Sequence, residues 1–231
     1  MHPDHVGMAG WLTRRFDARL WMTRLEYLTC RSLVADTGRE APTDAIRFYR
    51  RAGWGDEAIE HYRVRFGSFG RVVHTLPDSF RRMHDGERFR IGAHEWRVIV
   101  GNGHSPEHAC LLQRAAQDPD LGRPGAAAHL VERVGVPTEP DADPLADWIA
   151  SIAKLRAAVS DDVLVLPSHG EPFRGLHARL DRPAGGHEKS LTRLRRALSP
   201  SARSTSSARC SRGRSKARSC WAWPPARAWR I

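Results

Sequence analysis

Three short histidine-bearing turns constrain this chain most. The first is His2-Pro3-Asp4-His5, two imidazoles and a carboxylate within four residues. The second, Gly101-Asn102-Gly103-His104-Ser105-Pro106-Glu107-His108, follows an apolar stretch that reads as a strand ending at Val100. The third, Leu166-Pro167-Ser168-His169-Gly170, again places a histidine just past a buried strand. Loops at strand ends are a common way to mount metal ligands on a rigid sheet. Gly101 and Gly103, just before His104, allow tight or positive-φ backbone and leave room beside the imidazole. Mixed nitrogen and oxygen donors suit zinc and similar divalent ions. One such turn alone reads more readily as a solvated loop or a capping residue. Three of them together point to a metal site.

The segments between these turns alternate in character. Met8 to Phe16, Glu26 to Val34, Thr43 to Arg51 and Asp56 to Phe66 have helical spacing of apolar residues, with Thr43 placed to cap its helix. Leu20 to Met22 reads as a short strand. Phe89 to Ile91 and Glu95 to Val100 are β-rich and flank Gly92-Ala93-His94, which predicts a hairpin. Ala109 to Leu112 is a further strand. Asp143 to Val159 is an amphipathic helix presenting Leu145, Trp148, Ile149, Ile152 and Leu155 on one face. Asp162 to Pro167 is a buried strand, and Leu191 to Leu198 ends a last helix. Trp11, Trp21, Trp54 and Trp96 are expected in the core rather than lining a pocket.

Composition is that of an ordinary globular chain, 41% hydrophobic and 27% charged over 231 residues. The net charge of +11 suggests an acidic partner, but its distribution argues otherwise. Residues 199–231 hold seven Arg, one Lys and no acid, so +8 of the +11 lies there and +3 on the preceding 198 residues. No apolar run of about 18 residues predicts a membrane span, and no charged-then-apolar leader predicts export. Four cysteines without CxxC spacing favour a reducing, cytoplasmic setting, with Cys30 and Cys110 as small buried residues.

In type and order the three turns resemble the motifs of the metallo-β-lactamase-fold hydrolases. They look like the branch with a C-terminal winged-helix domain and are distantly similar to glyoxalase II. The likeness covers residues 1–113 and 137–198. It implies an α/β (α+β) fold, a partial αββα sandwich without its N-terminal strands, over a domain of residues 1–198. It also implies metal-assisted hydrolysis with two zinc ions, which acidify a water and polarise a scissile carbonyl or phosphoryl oxygen. By the same likeness His2 and His104 bind one ion. Asp4, His5 and His169 bind the other, with Asp4 also orienting the nucleophile. His108 matches a position outside the ligand set.

The family's loop has one more histidine, which here would fall immediately before Met1, and a bridging Asp that has no recognisable counterpart. A start assigned too late, or a truncated gene, accounts for the first departure. Residues 113–136 are rich in Ala, Gly, Arg and Pro, and residues 199–231 in Ser, Arg, Ala and Trp, as expected of GC-rich DNA read out of frame; one allowed shifted reading of Gly122 to Val136 contains the missing Gly-Asp. Five candidate ligands remain: His2, Asp4, His5, His104 and His169. Five ligands cannot supply three to each of two ions, so impaired activity on an unspecified small-molecule substrate is expected. A different class of function would use Arg and Trp of residues 199–231 to grip phosphates and stack on bases. The absence of any positional pattern in that tail makes nucleic acid the less favoured partner.

Overall fold

A computed structural model describes residues 2–103, 105–113, 125–128 and 136–198, the third range as backbone only. His104, most of the stretch 113–136 and the basic tail 199–231 lie outside the described residues. The elements run α1 (Pro3–Val6), α2 (Ala9–Arg15), β1 (Trp21–Met22), α3 (Arg24–Ala35), α4 (Thr43–Arg51) and α5 (Asp56–Arg65). A 3-10 turn (Phe69–Arg71) leads to β2 (Arg81–Arg82), β3 (Arg88–Ile91), β4 (His94–Gly101), β5 (His108–Gln113) and β6 (Gly125–Ala128). The chain continues through α6 (Pro144–Ala158), β7 (Leu164–Pro167) and α7 (Leu176–Leu198).

Five strands form one sheet in the order β3-β4-β5-β6-β7, antiparallel except for the parallel β6–β7 pair. The β3–β4 hairpin closes on Gly92-Ala93, with Ile91 paired to His94 and Gly92 at φ +60°. A positive φ costs glycine little, which is why the turn falls there. β1 and β2 form a separate parallel pair.

Alternation along the strands sets up the layers. On β1, Trp21 makes an edge-to-face contact with Phe89 of β3, at 5.2 Å between ring centroids. Met22, pointing the other way, packs with Val6, Tyr27, Cys30 and Leu76. Helices α1 and α3 therefore lie beyond the small sheet, on the side away from the large one. The opposite face of the large sheet carries Ile99, Cys110 and Val165, which pack against Trp148, Ile152 and Leu155 of α6 and Leu176 and Leu180 of α7. The order is helix, small sheet, large sheet, helix. Apolar burial on this scale is the main favourable term in folding.

Each helix has a local cause. α6 starts where Asp143 accepts the Ala146 N–H at 3.0 Å and Pro144 occupies the first turn. α7 contains Pro183, whose missing N–H removes one bond from the ladder, followed by Gly185 and Gly186. At this weak point the chain divides into two compact units, Met1–Ala184 and one beginning at Gly185. Of the second, residues 185–198 are described, with Ser190 donating to the Gly186 carbonyl.

Several expectations need correction. The first turn is a helical turn rather than an open loop, because Pro3 sits at its first position and the His2 carbonyl accepts from both His5 and Val6 N–H at 2.9 Å. Thr43 is the first residue of α4 rather than its cap; Pro42 occupies the N-cap position without a side-chain cap bond. Ile149 is 37% exposed, at the margin of the α6 face, and Leu166 is 47% exposed on β7. Trp11, Trp21 and Trp54 are 38–39% exposed, and it is Trp148, at 2%, that fills the core. Spacing shows which residues share a face. It does not show how wide a neighbouring layer covers that face.

Candidate metal centre

Two of the three turns meet. Asp4, His5 and His169 present one ligand atom each, all within 4.8 Å of one another. The Nε2 atoms of His5 and His169 are 3.1 Å apart, with the rings edge to face at 67°. The Asp4 Oδ2 atom lies 3.2 Å from His169 Nε2 and 3.6 Å from His5 Nε2. A residue near the start of the chain and one 164 positions later thus share a site.

The local structure explains the convergence. Helix α1 is a single turn, so Asp4 and His5 leave it as neighbours, while Val6 is driven into the cluster around Tyr27 and Cys30. On the other side β7 ends at Pro167 and the chain turns through Gly170, whose φ is +86°. His169 therefore stands at the carboxyl end of a core strand, where Val165 is 2% exposed.

The donor set fits a divalent ion. With ligand bonds of about 2.0–2.2 Å, adjacent donors around a tetrahedral zinc stand about 3.3–3.6 Å apart. The three observed edges are 3.1, 3.2 and 3.6 Å. Burial, reinforced by the facing His169, holds the His5 imidazole below its ordinary pKa against the opposing pull of Asp4. The neutral ring keeps the lone pair a metal needs. Side-chain exposures of 29% for His5, 40% for Asp4 and 57% for His169 leave the site open to solvent.

His2 is not in this group. It stands at the N-cap position of α1, and burial lowers its imidazole pKa. Its expected partner His104 lies outside the described residues. The flanks of position 104 are firmly held all the same. The Ser151 hydroxyl of α6 accepts the Asn102 N–H at 2.7 Å and donates to the Asp147 carbonyl at 2.8 Å. Lys154 donates to the Val100 carbonyl at 2.6 Å, and Asp85 accepts the Val100 N–H at 2.8 Å. Gly101 lies directly over Ser151, where an added Cβ would sit 3.5 Å from the serine Cβ. His108 pairs with Gly101 across β4 and β5, and burial lowers its pKa.

Sequence reasoning passed over three residues beside the site. The Glu107 carboxylate accepts the Leu25 N–H of α3 at 2.7 Å, and the Glu107 carbonyl accepts from the Thr23 hydroxyl at 2.7 Å. Glu26, 6% exposed in the first turn of α3, exerts its negative charge on His2, His5 and His108. Thr23-Arg24-Leu25-Glu26 has the spacing of a helix capping box, the one local signal that could have drawn attention to this helix start. Nothing local says that Glu107 reaches it across 82 residues.

Comparison with known proteins agrees with this architecture. No protein-family profile matches the chain, and no curated protein sequence does. Among solved structures, it is similar to a β-lactamase domain protein from Burkholderia ambifaria, at 31% identity and a TM-score of 0.68 over 86% of this chain and 56% of that one. It is also similar to a metallo-β-lactamase family protein from Thermus thermophilus, at 22% identity and a TM-score of 0.58 over 84% of this chain and 60% of that one. A B3 metallo-β-lactamase with an active-site glutamic acid shares the fold at 19% identity and a TM-score of 0.53, covering 84% of this chain and 68% of that one. The chain thus spans little more than half the length of the first two. With two sheets layered between helices, histidine turns at their rim and these neighbours, the chain has the metallo-β-lactamase fold.

Proposed function

We propose that this chain carries the metal-dependent hydrolase site of its superfamily, with Asp4, His5 and His169 holding one divalent ion of the zinc type. The observation that carries this reading is the triangle of donor atoms with edges of 3.1, 3.2 and 3.6 Å. It comes from two turns far apart in sequence, and it matches the spacing of ligands around one ion. His2 and His104 are the candidates for a second ion.

An ion held here supplies Lewis acidity and makes water acidic near neutral pH. The protein's own groups do the rest. His5 and His169 offer neutral nitrogens. Asp4 brings negative charge, and its carboxylate orients an attacking water by accepting one of its hydrogen bonds. The open face admits a small-molecule ester, thioester, lactone or phosphodiester. The buried thiols of Cys30 and Cys110 support a reducing, cytoplasmic setting. No described helix is long and apolar enough to cross a membrane.

Zinc bound per purified chain, measured by equilibrium dialysis and metal analysis, tests the site. His169→Ala is expected to remove at least one equivalent, and hydrolysis of generic thioesters and lactones should fall with it. A chain that takes up no zinc, or takes up as much in the His169→Ala variant, ends this reading.

A further inference from the structure

We infer that Glu107 is a positioning residue for the metal site, a clasp that holds the Ser105–His108 segment to the first turn of α3. The inference rests on the metal-site reading above. A glutamate in a histidine-rich turn invites assignment as a ligand or base, but its geometry here says otherwise. Its carboxylate is committed to the Leu25 N–H at 2.7 Å, and its carbonyl is committed to the Thr23 hydroxyl at 2.7 Å.

Both bonds are chemically well matched. The first N–H groups of a helix have no intrahelical acceptor, and a carboxylate there gains from the helix dipole. The residue that would ordinarily cap α3 is Thr23, 2% exposed, and it makes no cap bond of its own. Its hydroxyl instead donates to the Glu107 backbone. The cap of α3 is therefore supplied from 82 residues away, by the turn that carries the second histidine motif.

Helix α3 is also anchored to the first motif. Tyr27 and Cys30 pack on Val6, the residue next to His5. The helix is thus a strut between the turn that bears Asp4 and His5, joined to it by apolar packing, and the segment 105–108, joined to it by Glu107. Releasing the clasp loosens the first turn of α3, and with it the packing under Val6 that holds the Asp4–His5 turn, without removing Asp4, His5 or His169. Residues that orient ligands in this way typically change metal affinity by about 10–100-fold.

The experiment uses the full chain with Glu107→Ala, Glu107→Gln, Thr23→Val and His5→Ala variants. Zinc affinity is read by competition with a chromophoric chelator, and α3 fraying by hydrogen exchange at the Leu25 amide without metal. Glu107→Ala is expected to weaken zinc binding about tenfold and to speed Leu25 exchange several-fold. Glu107→Gln, which keeps an oxygen acceptor, should restore most of both. Thr23→Val, which removes one of the two bonds, should shift both readouts in the same direction and by less, and it decides the matter if Glu107→Ala does not fold. His5→Ala should remove at least one equivalent of zinc and leave Leu25 exchange unchanged. Faster Leu25 exchange with undiminished zinc affinity in Glu107→Ala, or in Thr23→Val where the alanine variant is unfolded, overturns the positioning role and leaves the metal site standing. A parent chain that binds no zinc overturns the metal site and this inference with it.

Discussion

Ser151→Ala isolates a single hydrogen bond under the second histidine turn. Ser151 is 8% exposed, and its hydroxyl accepts from Asn102 N–H at 2.7 Å while donating to the Asp147 carbonyl at 2.8 Å. Alanine keeps the Cβ that packs 3.5 Å from the Cβ position over Gly101, so no cavity of consequence opens. The Asp147 carbonyl sits in the first turn of α6, where losing a back-bonding serine costs little. What remains is the Asn102 N–H, left without its acceptor. An unsatisfied buried donor costs about 1–3 kcal/mol. Asn102 is only half-buried, so the lower part of that range, about 1–2 kcal/mol, applies. For a domain of this size that corresponds to a fall in Tm of about 2–8 °C. Urea denaturation followed by far-UV circular dichroism measures it, with Ser151→Cys as a control of similar size and weaker acceptance. A loss under about 0.5 kcal/mol at unchanged m-value, the ordinary scatter of a harmless substitution, would refute the claim that α6 holds this turn through Ser151.

Two further outcomes follow from the geometry. Glycine to alanine inside a helix normally stabilises by about 1 kcal/mol, but Gly10→Ala in α2 should destabilise by about 1–3 kcal/mol. The new Cβ would lie 2.0 Å from the Thr75 carbonyl oxygen and 2.6 Å from its carbon, both backbone atoms that cannot step aside cheaply. A rise in Tm for Gly10→Ala would show that residues 74–75 do not pack there. The pH dependence has a definite sign too. Burial lowers the pKa of His108 below its ordinary 6.5, so between those values the unfolded chain binds a proton that the folded chain does not. Stability of the metal-free chain is therefore full above about pH 6.5. It is lost progressively as pH falls toward the lowered folded value. His108→Gln should flatten that part of the profile in pH-dependent denaturation, and an unchanged slope would count against burial of a neutral imidazole.

Much of this fold is legible in local chemistry. Periodicity places α3, α4, α5 and α6 within a residue or two, because each helix carries its own apolar stripe. Gly92 marks the β3–β4 turn because few other residues take its φ cheaply. The turn His2-Pro3-Asp4-His5 and the strand-end His169 are legible as candidate ligands from residue type and setting alone. That Asp4 and His5 meet His169, while His2 stands at the N-cap position of α1, is decided by the tertiary structure. The meeting depends on where β7 ends relative to a helical turn 164 residues earlier, and no local pattern encodes such a distance. The same holds for Glu107, which the sequence displays among metal-binding residues and the structure places on the end of α3. The exposure of Trp11, Trp21 and Trp54 belongs here as well. Side-chain type fixes what a residue gains by burial, but only the packed layers determine which surfaces are there to bury it.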